Sequence, residues 1–266
     1  LCRNCCHAGR SNGGNDKATV PERPVLPRVI DAVHMLLALM AKALAGCFEM
    51  EMVAMDFSDA YFHFQVHPDE YPHCTSPDVD EDSDFGLLWA NLCFGLTAAP
   101  LLWSRLAAAL GRLLVAMFRE NELYAQIYLD DPLLGILGDS TVRNRLLAIF
   151  LWTLVALGVQ VAWKKGSRGV VLTWIGVMFE LDMTLKRLVC TIPPRMVELI
   201  QTEVTQILSK SMVKYDVLRA FAGRLSWVAT IIPRTRWTVT ILFGVVADAD
   251  REAKKPRRQR GRANRV

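Results

Sequence analysis

Tyr128-Leu129-Asp130-Asp131 is the stretch that most limits what this chain can fold into. An apolar run, Leu123 to Leu129, ends on two adjacent carboxylates, and a second apolar run, Pro132 to Leu137, follows at once. Two apolar runs joined this tightly predict a β-hairpin with both acids at its tip. Adjacent anions repel, so they belong at a solvated turn or around a divalent cation. Taken alone, the tetrapeptide reads first as a solvated acidic turn. The rest of the chain changes that balance.

A second carboxylate stands where a partner is needed. Val53 to Met55 reads as a short buried strand, and Asp56 comes where that strand runs out. An acid in such a place is costly without a partner or a metal. Phe62, Phe64 and Val66 then alternate, which predicts a second strand. Asp59 reads as a turn or capping residue in its commoner role.

The remaining segments predict a mixed α+β chain. Val29 to Phe48 has helical spacing. Cys93 to Pro100 is a turn into a helix over Leu101 to Phe118, with Pro100 suited to its first turn. Arg105, Arg112 and Arg119 recur every seventh residue on that helix, as a solvated face or one turned to a phosphate backbone. Val142 to Leu157 predicts another helix, stopped by Gly158, with Val159 to Ala162 as a strand ended by Lys164-Lys165-Gly166. Leu146 to Trp163 is uncharged and 18 residues long, but the stop at Gly158 leaves the helical part too short to span, so no membrane segment is expected. Val170 to Met178 and Leu185 to Ile192 predict strands, and Pro193-Pro194 opens a region of helices over Val197 to Leu208, Tyr215 to Ile232 and Arg236 to Asp248.

Charge is unevenly placed. Residues 251–266 carry eight Lys/Arg against Glu252, a net +7, so the overall +4 leaves residues 1–250 at −3. Attraction to a polyanion through net charge therefore lies in the tail. Residues 1–24 are polar and Gly/Asn-rich and are expected to be disordered, as is 251–266. Cys2-Arg3-Asn4-Cys5-Cys6-His7 has the look of half a zinc site without a second half, and Asp78 to Asp84 reads as a solvated acidic loop. Seven scattered cysteines suit a reducing, intracellular compartment, cytoplasm or nucleus, and Leu1 suggests a segment of a longer product.

The order of these pieces resembles the palm and thumb of reverse transcriptases, the RNA-directed DNA polymerases of retrotransposons of the DIRS or LTR kind. Met55-Asp56-Phe57-Ser58-Asp59-Ala60-Tyr61-Phe62 is similar to the first palm motif. Phe94-Gly95-Leu96-Thr97-Ala98-Ala99-Pro100 resembles the second, with Cys93 where the family carries Pro. Tyr128-Leu129-Asp130-Asp131 matches the third, and Leu157-Gly158 with Val161 and Lys165 resembles the fourth. Trp174-Ile175-Gly176-Val177 resembles the primer-contacting hairpin, and Leu218 to Arg236 the thumb helices.

The resemblance implies an α+β right-hand palm, an antiparallel sheet with packed helices, with reduced fingers over 25–192 and a helical thumb over 193–250. It implies two-metal nucleotidyl transfer to a primer 3′-hydroxyl, with Asp56, Asp130 and Asp131 holding Mg²⁺ or Mn²⁺. Lys165 is implied as the acid that protonates pyrophosphate. Phe57, Asp59, Ala60, Tyr61, Phe94 and Gly95 are implied to line the nucleotide, Tyr61 as steric gate, and Trp174, Ile175 and Gly176 to contact the primer. The implied partners are an RNA/DNA template–primer and deoxynucleoside triphosphates. Only Arg28 and Lys42 stand upstream of Asp56 within residues 25–55, where the family carries triphosphate-gripping cations. A second reading therefore stays open, a catalytically decayed relic of the same fold that binds nucleic acid weakly.

Overall fold

The computed structural model describes residues 20, 22–77, 86–92, 95–119 and 122–254. The half zinc site, the acidic loop 78–84, Phe94, most of the N-terminal segment and residues 255–266 lie outside them. Residues up to Ile175, with Leu181–Leu188, form one compact unit, and Gly176–Glu180 with residues from Val189 onward form another.

In the first unit a four-stranded antiparallel sheet is the organising layer. Its order is β4 (Leu123–Tyr128), β5 (Asp131–Leu137), β1 (Met50–Ala54) and β6 (Ser167–Gly169). A separate pair, β2 (Thr75–Pro77) and β3 (Gly86–Leu88), lies outside this sheet. The central strands read as nearly unbroken apolar runs because helices cover both faces. Alternate residues settle which side chain goes where. Val53, Leu134 and Ile136 join α2 (Ala99–Ala116) and α3 (Ser140–Ala156) through Trp103, Leu110, Leu114, Leu146, Phe150 and Leu154. On the other face α1 (Val29–Gly46) sits close enough that a Cβ on Gly135 would come within 2.4 Å of Leu39 Cδ1. Glycine at that point of β5 lets the helix lie against the strand.

Local signals explain the helix ends. Asp139 caps α3, its carboxylate accepting from Val142 N at 2.8 Å. Pro100 falls in the first turn of α2. The apolar run from Leu146 is cut by the end of α3 at Ala156 and by Gly158 at φ 73°. Two helices, α1 and α2, are long and apolar enough to cross a membrane by length and composition. Both place a buried face against the sheet, Leu36, Leu39 and Met40 in α1 and Leu101, Trp103 and Leu110 in α2.

Two sequence expectations fail locally. The alternation Phe62, Phe64, Val66 is no strand: Ala60–His63 forms a 3-10 turn, entered through Asp59 at φ 52°. Instead of alternating across a pleat, His63 stacks on Trp103 and Phe64 meets the same ring edge-on. Val159 to Ala162 is likewise reduced to one bridge, Val161 opposite Phe57, before a 3-10 turn at Trp163–Lys165.

Further along, β7 (Val171–Trp174), β8 (Val177–Asp182) and β9 (Arg187–Thr191) form a three-stranded sheet. The second unit holds α4 (Pro194–Leu208), α5 (Tyr215–Ile231) and α6 (Arg236–Lys254), which runs into the expected tail. Its small core gathers Val213, Leu218 and Val246, and Arg224 pairs with Glu203.

Candidate active site

The acids meet because of strand register. Ala54 of β1 faces Leu133 of β5, and the pairing continues past the strand end through Met55 N to Pro132 O at 3.1 Å and Phe57 N to Asp130 O at 2.7 Å. Counting along this register places Asp56 directly opposite Asp131. The hydrogen bonds flank that pair, so it is the non-bonded type, with Cα atoms about 4.5 Å apart and side chains on one face. Asp130 sits in the two-residue turn closed by Tyr128 and Asp131, whose first position, Leu129, adopts φ 52°.

The opposite edge of Asp56 brings the cation. Ala162 N donates to Asp56 O at 2.8 Å and Ser58 N to Gln160 O at 2.9 Å, so residues 56–58 are gripped from both sides. The 3-10 turn that starts after Ala162 carries Lys165 back, and its Nζ lies 2.7 Å from Asp56 Oδ2. Asp56 is largely buried and Lys165 mostly exposed.

Electrostatics report an excess of negative charge. Burial, then the Asp130 and Asp56 charges, push the Asp131 carboxyl up to about 6, with Lys165 opposing. Asp130 is raised by burial and by Asp56. The Lys165 ammonium is raised, first by its hydrogen bond to Asp56 and, against an opposing effect of burial, by the charges of all three carboxylates. Tyr61 is raised by burial and by the Asp130 charge, which places its phenol in reach of that acid's field. Among the described residues no three Asp, Glu, His or Cys side chains are grouped tightly enough to enclose an ion as they stand.

The other expected site residues take varied positions. The Phe57 ring is buried edge-on to Trp103, 6.0 Å between centroids, so its backbone is what it offers the acids. Asp59 is exposed, Ala60 buried and Tyr61 half-buried. Gly95, at φ 98°, lies in the turn leading to α2. The Trp174 indole is 2% exposed and donates to Asp131 O at 2.9 Å. Ile175 and Gly176, at φ 40° and 83°, form the left-handed turn between β7 and β8. A Cβ on Gly176 would lie 2.8 Å from Trp227 Cζ2. Gly176→Ala is therefore expected to cost about 1–2 kcal/mol, from the unfavourable φ and the contact together. A lowered urea midpoint at unchanged slope checks it.

One cluster went unread in the sequence. Glu51, 9% exposed in β1, accepts from Arg168 Nε at 2.9 Å, and Arg143 Nε of α3 lies 3.3 Å from it. Arg143 also reaches Glu49 at 2.6 Å. The signal was there, a lone acid inside Met50-Glu51-Met52-Val53, but nothing local named its partners. The network ties β1 to β6 and α3, close to the turn that carries Lys165. Of the α2 arginines, Arg105 is paired with Glu22.

Solved structures share this arrangement of elements. The chain is similar to a foamy viral protease–reverse transcriptase in complex with RNA/DNA hybrid, at TM-score 0.54 and 14% identity over 74% of this chain and 24% of that one. It is similar as well to the dRH form of a foamy viral protease–reverse transcriptase in complex with double-stranded DNA, at TM-score 0.56 and 14% identity over 89% and 36%. The chain has a reverse-transcriptase-like fold. It spans about a quarter to a third of the length of those proteins. No protein-family model and no curated protein matches the sequence. The antiparallel sheet with its packed helices is thus a polymerase-like palm, as the sequence led one to expect.

Proposed function

We propose that the chain is the polymerase domain of a retrotransposon, an RNA-directed DNA polymerase that joins deoxynucleotides to a primer 3′-hydroxyl. One observation carries this reading: the register sets Asp56 opposite Asp131, beside Asp130, with Lys165 closing the group. The foamy viral neighbours are complexes with RNA/DNA hybrid and double-stranded DNA, which supports a template–primer as partner.

The donor set suits Mg²⁺ or Mn²⁺. Three carboxylates offer hard oxygens, and the upward shifts at Asp130 and Asp131 mark negative charge that one lysine does not balance. Bound there, the ion supplies activation of the 3′-hydroxyl and neutralisation of phosphate charge. Asp56, Asp130 and Asp131 hold and orient. Tyr61, half-buried beside Asp130, walls the nucleotide's sugar and excludes a ribose 2′-hydroxyl. Lys165 Nζ, kept protonated by the acids around it, gives its proton to the departing pyrophosphate oxygen.

A second reading has its own observation. Lys165 occupies Asp56, which suits a nucleic-acid-binding relic in which the lysine has replaced the ion. One experiment separates the two. Purified chain receives a primed RNA template, deoxynucleotides and Mg²⁺ or Mn²⁺. Extension that disappears in Asp130→Asn supports the polymerase. Folded protein that binds the duplex and extends nothing in either metal supports the relic.

A further inference from the structure

Resting on the nucleotidyl-transfer reading, we propose that Trp174 is a positioning residue: its indole N–H, buried on the Asp131 carbonyl, sets the direction of the Asp131 carboxylate. Three consecutive carbonyls at the hairpin tip are each held by a different donor. Phe57 N takes Asp130 O at 2.7 Å, Trp174 Nε1 takes Asp131 O at 2.9 Å and Met55 N takes Pro132 O at 3.1 Å. The first two fix the peptide planes on either side of the Asp131 Cα, and two fixed planes fix the Cα–Cβ direction.

The middle plane can be held on one side only. It joins Asp131 to Pro132, and proline has no N–H, so that peptide is anchored through its carbonyl alone. In the strand register Asp131 O turns away from β1 toward its partner Tyr128, whose N–H is the ladder donor of the turn-closing pair, and the indole N–H is the second donor on the same oxygen. The indole reaches it from the end of β7, where Trp174 is 2% exposed and the next two residues turn the chain. A ring this buried presents no face to a primer. The turn at Ile175 and Gly176 is what remains for that contact.

Groups that orient a metal-binding side chain through hydrogen bonds cost about 10–100-fold in metal affinity when removed. Trp174→Phe keeps an aromatic ring of similar shape and deletes only the N–H donor and one ring. Mn²⁺ binding followed by water-proton relaxation is expected to weaken about tenfold in Trp174→Phe. Affinity for an RNA/DNA hybrid in EDTA, followed by fluorescence anisotropy, is expected to stay within about twofold, and unfolding to remain cooperative. Unchanged Mn²⁺ affinity with weakened hybrid binding overturns the proposal and returns Trp174 to the primer.

The wild-type protein gives a readout that needs neither variant nor metal. The Trp174 indole proton should exchange with solvent far more slowly than those of Trp152, Trp163 and Trp237, which are 64–73% exposed. Rapid exchange overturns the proposal. If the wild-type chain binds no Mn²⁺, nucleotidyl transfer falls by itself, and the tether is then judged on the hairpin amides. Exchange at Tyr128 and Asp131 speeds about tenfold in Trp174→Phe if the tether holds the tip, and unchanged rates refute it.

Discussion

Asp131→Asn is expected to abolish primer extension and, in the same protein without metal, to raise the melting temperature at pH 7. On the proposed reading, the activity loss follows from removing one of the three acids that would hold the ion. It should be on the order of a thousandfold, about 4 kcal/mol of barrier. The stability gain follows from charge. The folded carboxyl sits at about 6, above its ordinary 3.8, because it is partly buried beside Asp130 and Asp56. An acid whose folded pKa is raised binds more protons folded than unfolded over that interval. Its contribution therefore costs nothing below about pH 4, grows as pH rises from about 4 to 6, and is fully present above that. Metal-free wild type should lose stability across that window, and Asp131→Asn should lose much less. Allowing for solvent screening of a half-exposed cluster, the neutral-pH gain is about 1–2 kcal/mol, or roughly 3–5 °C. Thermal melts from pH 4 to 8 in EDTA, compared with the extension assay, check both halves. A variant less stable than wild type at pH 7 would sink the account of crowded charge.

The second large effect lies beside the acids. Trp103 of α2 is fully buried, and Phe57, His63 and Phe64 surround its ring at centroid distances of 5.9 to 6.3 Å. Its indole N–H has no hydrogen-bond partner among the described residues, so the ring's value is in packing. Trp103→Ala is expected to cost about 3–5 kcal/mol, the range for deleting a buried aromatic side chain from a well-filled core. In a chain of this size that is roughly 10 °C or more of melting temperature. Urea unfolding at 25 °C measures it. The loss should fall hardest on residues 57–64, whose rings lean on Trp103, so hydrogen exchange in that segment should rise more than in α3.

How much of this was legible beforehand depends on range along the chain. The hairpin at Tyr128 to Asp131 announced itself, because two apolar runs and the short connection between them are local. The helices were legible for the same reason, and Asp139 and Pro100 marked ends that the structure keeps. Phe62, Phe64 and Val66 misled because period-two apolarity also suits rings that pack on separate tryptophans, Phe62 on Trp89 and Phe64 on Trp103, and Asp59 had already turned the backbone left-handed. Trp174 stood as a primer contact by resemblance alone, and its hydrogen bond to Asp131, 43 residues upstream, is written in no local pattern. Lys165 was assigned its role by resemblance alone. Its proximity to Asp56 depends on the bridge between Phe57 and Val161, which no periodicity encodes.

The continuous pairing of β1 with β5 from Met50 to Phe57 has a consequence of its own. The acids do not find each other by chemistry; they are delivered by parity. Inserting or deleting one residue between Met50 and Asp56 would carry Asp56 to the far side of the sheet, even with every side chain of the site retained. Two such changes in the same strand would restore the side but miss the partner. Drift in this chain can thus be read by counting: a copy that keeps Asp56, Asp130 and Asp131 but alters the number of residues in β1 has lost the site that its letters still spell.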